Sequence, residues 1–450
     1  MYGREQLKTI CEKILRRVEA GGAVGEVFIA TMDEALTRFA NNTIHQNVSE
    51  SNVQISLRAL VGLRAGMAST NRVDDAALDE LVAAALAHAR ISPEDPEDVG
   101  PAQPAPLQEA HAFDPATAEC SPELRAQPVK AVCLRAMQAG LNAAGAFSTT
   151  RVETAIANSQ GVFAYHPHTE CDFQTTVMSD DSSGRAEGFG WKMDDVAVEA
   201  LGEQAIKTTL RGRAPRLIEP GEFTVVLSPY AVLDIISNLN MHGVSGQSIL
   251  DGRSWMDGLQ GTQAMSPLVS LWDDAYDPRG LPMPFDGEGL PRQRVDIVRE
   301  GVVGDAVYDR YTARKASRQP TGHAISPEWR SMGPMATNLF MAPGQSTLEE
   351  MIAGTQRGVL VTRFWYTRQV HPRGCLMTGM TRDGAFWIEN GEIAYGIKNL
   401  RFTQAYVDAL ANVSAATVQD YLLRTAYMPV YARIPALKIE KFRFTGVSGS

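Results

Sequence analysis

Two passes of one pattern, separated by a stretch too rich in proline to hold a regular element, constrain the first half of this 450-residue chain. The first pass opens with an amphipathic helix at residues 4–20, continues through short alternating runs at 27–30, 35–40, 53–60 and 63–69, and closes on an Ala- and Leu-rich helix at 75–90. The second opens with a helix at 123–144, continues through strands near 148–158, 161–166, 172–179 and 185–191, and closes on a helix at 196–211. Local wording recurs too: Ala40-Asn41-Asn42, a strand with Gly66 and an Asp-led helix match Ala157-Asn158-Ser159, Gly188 and Asp194-Asp195. Residues 1–215 therefore read as a diverged duplication of one helix–four strands–helix unit. Between the passes, prolines 93, 96, 101, 104, 106, 115 and 122 make residues 91–122 a linker or extended crossover.

A second linker, 211–221, carries Pro215 and Pro220 and opens a strand-rich half with a few helices. There a hairpin is expected around Glu300-Gly301, joining 294–300 to 302–308, and a tight turn at Asn390-Gly391 within 388–395. Ser346-Thr347-Leu348-Glu349 has capping-box spacing for a short helix to about Thr355, and 244–262 reads as an irregular, mobile or binding loop. The fold class is α/β (α+β): a duplicated N-terminal domain over 1–215, then a strand-rich C-terminal domain over 222–450.

A chain with 44% hydrophobic and 21% charged residues can build such cores. Its net charge of −10, with no basic stripe interleaved with aromatics, argues against a nucleic-acid partner. The Glu- and Lys-bearing N-terminal helix reads as neither signal peptide nor transit sequence, and no run reaches the length of a membrane span. The five scattered cysteines, without a CxxC, suit a reducing cytoplasm and no structural disulfide.

The likeliest mount for chemistry is FTVVLSPYAVLDIISNLNMHGVSG, residues 223–246. Residues 223–227 suit a buried strand, Ser228 is placed to cap the following helix, and Pro229 sits at its first turn. Val232, Ile235, Ile236 and Leu239 form its buried stripe and leave Ser237, Asn238 and His242 exposed. A zinc hydrolase needs two histidines on one helical face and a Glu to activate water, and neither HExxH nor HExxxH occurs. His242 alone reads as a helix-end hydrogen-bonder or dipole partner.

Elsewhere the densest ligand-like cluster is His166-Pro167-His168 with Glu170 and Cys171, where the proline suggests a strand end or turn. No GxSxG elbow or phosphate loop occurs, and Cys375 lies four residues from His371 in an expected loop. Arg314 and Lys315, followed by the Gly-bearing loop of His323, are suited to holding a peptide carboxylate or main-chain carbonyls. The same residues also fit a solvated basic helix end with His323 bonded in a turn.

YTARKASRQPTGHA at 311–324, FWIENGEI at 386–393, TRFANNTIHQ at 37–46 and ANSQGVFAY at 157–165 resemble the TldD/PmbA (TldD/TldE) family, historically described as modulators of DNA gyrase. The four motifs occur in family order over nearly the whole chain. The resemblance implies a cytosolic metalloprotease in which a TldD-type and a PmbA (TldE)-type chain pair to degrade unfolded or flexible peptides or trim peptide-antibiotic precursors. TldD-type members carry HExxxH on the helix after a VVL strand and a cysteine ligand near the C-terminus. Aligning Val225-Val226-Leu227 without gaps puts the three motif positions at Ser237, Asn238 and His242, and residues 428–439 contain no cysteine.

The resemblance thus implies a PmbA/TldE-like, metal-free subunit, with zinc or another divalent metal on a TldD-type partner. It implies no catalytic or metal residue on this chain, and the residue chemistry above leaves Arg314, Lys315 and His323 as the substrate-binding candidates. The rivals are an autonomous peptidase using His166, His168 and Cys171, and a non-catalytic, homo-oligomeric or homodimeric peptide-binding protein.

Overall fold

The computed structural model describes residues 1–425 and 428–448. Its first unit runs α1 (Arg4–Ala20), β1 (Val24–Ala40), β2 (Thr43–Val61), β3 (Arg64–Thr70) and α2 (Asp75–Ile91). After a short helix α3 (Pro115–Ala118), the second runs α4 (Pro122–Gln138), β4 (Asn142–Asn158), β5 (Phe163–Met178), β6 (Ser183–Gly190) and α5 (Val198–Arg211). Each unit holds three strands where four were expected. Polar Asp33 and Glu34 break the apolar alternation, yet β1 stays extended because both neighbours pair along it, β2 from Val24↔Leu60 and β4 from Glu26↔Asn158.

Pro167 likewise falls inside β5, opposite Glu153, and not at a strand end. Its missing N–H is harmless there, since β6 pairs with β5 only from Cys171 onward. The helix expected to 144 stops at Gln138; Gly140 turns at φ 67°, and residues 142–144 are drawn into β4 by pairing with β5. Tertiary pairing overrides the helix preference of alanine here.

The strand order β3-β2-β1-β4-β5-β6 places the two units back to back about β1 and β4. α1 and α2 cover one side of the first unit, and α4 and α5 the same side of the second. A Cβ on Gly66 of β3 would lie 2.2 Å from the Ala85 carbonyl of α2, and one on Gly184 of β6 would lie 2.3 Å from the Ala205 carbonyl of α5. Both strands pass too close to their helix for any side chain. Gly184, not Gly188, is the structural counterpart of Gly66.

The second half runs β7 (Glu222–Leu227), α6 (Pro229–Leu239), a π turn (Asn240–Val244), α7 (Gly246–Leu250), β8 (Leu271–Asp273), β9 (Val295–Arg299), β10 (Val302–Val303) and α8 (Arg310–Lys315). It continues through β11 (Asn338–Met341), α9 (Leu348–Ala353), β12 (Arg357–His371), β13 (Leu376–Glu389), β14 (Glu392–Gly396), β15 (Leu400–Ala405), α10 (Tyr406–Ala411), β16 (Val413–Arg424) and β17 (Tyr431–Val447). Residues 244–262 therefore include a helix and are not irregular throughout. The β9–β10 hairpin turns at Glu300-Gly301 as expected, with φ 49° and 82°, but β10 is only two residues long. The β13–β14 hairpin turns at Asn390-Gly391 with φ 54° and 81°. The capping box sits one residue later than read, on Thr347 and Glu350.

β17 pairs with β11, β15, β16 and β7, and β7 also pairs with β12. The succession β17-β15-β13-β12-β7 consequently closes on itself as a ring, against which α6 packs through Val232, Ile235, Ile236 and Leu239. Among the described residues no helix is long and apolar enough to cross a membrane.

Candidate functional site

The helix after the VVL strand starts at Pro229, but Ser228 does not cap it by side chain; its hydroxyl donates to the Thr362 carbonyl on β12. Further along, Ser237 Oγ donates to Leu233 O at 2.5 Å and Asn238 Nδ2 to Asp234 O at 2.8 Å, so both fold back onto their own helix. Asp234 is itself committed, accepting from Tyr406 at 2.6 Å and Thr367 at 2.8 Å. His242 lies in the π turn, where burial and the charge of Arg253 lower its pKa.

That turn has a geometric effect. In an α-helix, residues five apart point roughly 140° from each other at about 100° per residue. A π turn closes i to i+5 and brings the later residue back toward the starting face. Its displaced polar groups are met by tertiary partners: Trp255 Nε1 donates to Leu239 O at 2.8 Å, Ser254 Oγ to Gly243 O at 2.6 Å, and Asn240 Nδ2 to Ala336 O at 2.8 Å. A Cβ on Gly243 would stand 1.9 Å from the Trp255 ring, so the turn is fitted to that indole. The π turn carries His242 while Ser237 and Asn238 stay on α6, and those two supply neither a metal-binding imidazole nor a carboxylate. The residues present at this place do not fit a catalytic metal.

Arg314, Lys315 and His323 do not converge. Arg314, at the end of α8, lies 3.3 Å from Glu97 and donates to Pro96 O at 3.2 Å, tying α8 to the proline-rich segment. Lys315 lies over the Tyr311 ring at 5.2 Å. His323 is fully buried, with Nε2 3.0 Å from Asp273 and Nδ1 2.9 Å from Thr321, so its ring is a tie inside the core.

His166, His168 and Glu170 share the face of β5 turned toward the C-terminal half. Cys171 points the other way, into the core under α4 and α5, where burial raises its thiol pKa; it cannot join the two imidazoles. Cys375 is likewise buried, with its pKa pushed up to about 12. His166 Nε2 bonds Pro282 O at 3.0 Å, and burial lowers its pKa to about 4. Glu170 accepts from Tyr431 at 2.6 Å and Arg424 at 3.3 Å, and His168 Nε2 stands 3.4 Å away. Burial alone would raise the Glu170 pKa, but His168, Arg424 and Tyr431 outweigh it and hold it at about 2. Asp172, 3.8 Å from Arg424, is instead pushed up by burial to about 6. Among the described residues no three His, Cys, Asp or Glu side chains are grouped to hold a metal.

This face of β5 forms one wall of a cleft of about 430 Å³ between the N-terminal sheet and the C-terminal half. Apolar Phe28, Val152, Ile156, Met283 and Phe285 line it together with His168, Arg292 and Arg424. At one margin lie two buried carboxyls whose pKa values burial raises, Asp286 and Glu288. Asp286 accepts the backbone N–H groups of Ala324, Glu288 and Leu290, while Glu288 is 3.4 Å from Arg330. Arg330 is also 3.9 Å from Glu26, which with Asp98 holds the buried Arg58. Sequence reasoning missed Arg292, Arg424, Tyr431 and this acidic pair. Asp286 and Glu288 alternating with Gly287 and Gly289 inside an apolar run was the one available signal.

Two α+β halves, a helix mounted behind a closed strand ring and a cleft between the halves make up the fold. Profiles of PmbA/TldA metallopeptidase domain 1, central domain and C-terminal domain match residues 25–89, 107–213 and 220–446. The chain belongs to the TldD/PmbA family. It is 24% identical over 439 residues to metalloprotease PmbA of Escherichia coli O157:H7, covering 89% of this chain and 93% of that one. It is 22% identical over 280 residues to a metalloprotease TldD homolog of Haemophilus influenzae, covering 59% and 58%. Its fold superimposes on TldE from Thermococcus kodakarensis with a TM-score of 0.89 at 19% identity, covering 97% of this chain and all of that one.

Proposed function

We propose that this chain is the subunit without its own catalytic metal in a two-chain, TldD/TldE-type peptidase acting on unfolded or flexible peptides. The reading is carried by α6 and its π turn. A lone histidine, His242, stands in the π turn that follows the helix, while Ser237 and Asn238 spend their polar atoms on their own helix. A zinc or other divalent ion and its water-activating carboxylate then come from a TldD-type partner carrying HExxxH. The similarity to proteins called PmbA and TldE supports the same assignment.

The test mixes the purified chain with such a partner and follows cleavage of an unfolded peptide while metal content is measured. The isolated chain is expected to carry no stoichiometric metal and to cleave nothing. The mixture is expected to cleave, and His242→Ala in this chain to leave that activity standing. Stoichiometric metal on the isolated chain, lost in His242→Ala, overturns the reading.

A further inference from the structure

The cleft between the two halves is unevenly provided with hydrogen-bonding groups. Its buried carboxylates are committed: Glu170 to Tyr431, Arg424 and His168, and Asp286 to three backbone N–H groups. Its donors are only partly so. Arg292 is 7% exposed and its guanidinium donates to the Thr337 hydroxyl, yet its Nε has no partner among the described residues. Arg424 is 40% exposed and shares its charge between Glu170 at 3.3 Å and Asp172 at 3.8 Å, leaving its exposed side open to the cleft. A buried donor left unpaired is destabilising, and an incoming carboxylate would satisfy it.

His168 is 5% exposed, and its Nδ1 also lacks a partner. Its Nε2 faces the carboxylate of Glu170, so Nδ1 is the ring atom left for a ligand. The empty complement of this cleft is therefore an anion, a polar amide group and an apolar group. All three occur together in one residue at the free end of a polypeptide.

We propose that the cleft binds the carboxy-terminal residue of a peptide, its apolar side chain against Phe28, Ile156 and Phe285 and its carboxylate on Arg292 and Arg424. The volume of about 430 Å³ admits one or two residues and excludes a folded chain. An internal peptide segment brings no charge to the arginines, and a fatty acid brings no amide to His168. The proposal rests on the reading that this chain handles peptides, and adds that it anchors a free end.

The test measures binding alone, on the isolated chain, so it does not depend on a partner or on cleavage. An N-terminally labelled, alanine-rich pentapeptide ending in leucine is titrated as free acid and as amide by fluorescence anisotropy. The acid is expected to bind at least tenfold tighter than the amide. Arg424→Gln is expected to bring that ratio close to one, and Val152→Trp, which fills the cleft, to weaken the acid at least tenfold. If Val152→Trp does not fold, the acid-to-amide ratio and Arg424→Gln decide. Equal binding of acid and amide, no binding of either, competition by octanoate as strong as by unlabelled peptide, or affinity unchanged by Arg424→Gln overturns the proposal. Any of these leaves the two-chain reading standing, since that is tested by cleavage in the mixture.

Discussion

A carboxylate sealed between two halves of a protein must be given partners, and Glu170 draws them from both. Tyr431→Phe removes the 2.6 Å hydrogen bond while leaving the ring stacked on Phe189 at 4.9 Å. It is expected to cost about 1–3 kcal/mol in urea denaturation, the penalty for an under-satisfied buried charge. Two adjoining titrations follow from the same strand. His166 is lowered from 6.5 to about 4, so the unfolded chain takes up its proton first and stability falls as pH drops from 6.5 toward 4. Glu170 is held at about 2 against 4.5, so its contribution is present above 4.5 and lost as pH falls toward 2. Urea midpoints measured from pH 7 to pH 3 should decline from about 6.5, and His166→Gln should flatten the part above pH 4. The histidine cluster was legible because its members are adjacent in sequence. Arg424 and Tyr431 were not, because each lies more than 250 residues away and only the fold brings it to β5.

At the scale of elements, the duplication rests on backbone proximity more than on side-chain likeness. Replacing Gly66 or Gly184 with Val drives a side chain into the carbonyls of α2 or α5, 2.2 and 2.3 Å from where a Cβ would start. Each is expected to cost at least about 1–3 kcal/mol and several degrees in thermal melts. Gly188→Ala meets the movable end of Leu201 and is expected to cost less. The order of elements was readable from periodicity, but the strand count was not: Asp33 and Glu34 look like a break until β2 and β4 are seen pairing through them. The VVL strand and its helix were read correctly. The π turn was invisible, since it is set by Trp255 and Ser254, which the chain brings back from beyond α7.

Across the whole molecule, the proline-rich crossover is a stitched seam. Arg310 donates to Gly100 O at 2.6 Å and Val99 O at 3.1 Å, and Arg314 holds Glu97, so α8 fastens residues 96–100 to the C-terminal half. Arg310→Ala is expected to open this segment to limited proteolysis several-fold faster, with cleavage mapped by mass spectrometry inside 91–114 and circular dichroism unchanged. The linker was legible as a lack of periodicity, whereas its attachment was not, because the hydrogen bonds are made to backbone carbonyls that any sequence would supply.

The strand ring closed by β17 also sets an order in time. A ribosome that has passed Arg211 has released everything the first sheet needs, whereas β7 must wait for Tyr431 and its successors before both of its edges are paired. Until β12 emerges the nascent chain carries β7 with both edges unpaired, and until β17 emerges with one edge unpaired. Vectorial synthesis therefore yields a finished first half tethered to an unfinished second one. β17 is then the strand that closes the ring against which α6 packs.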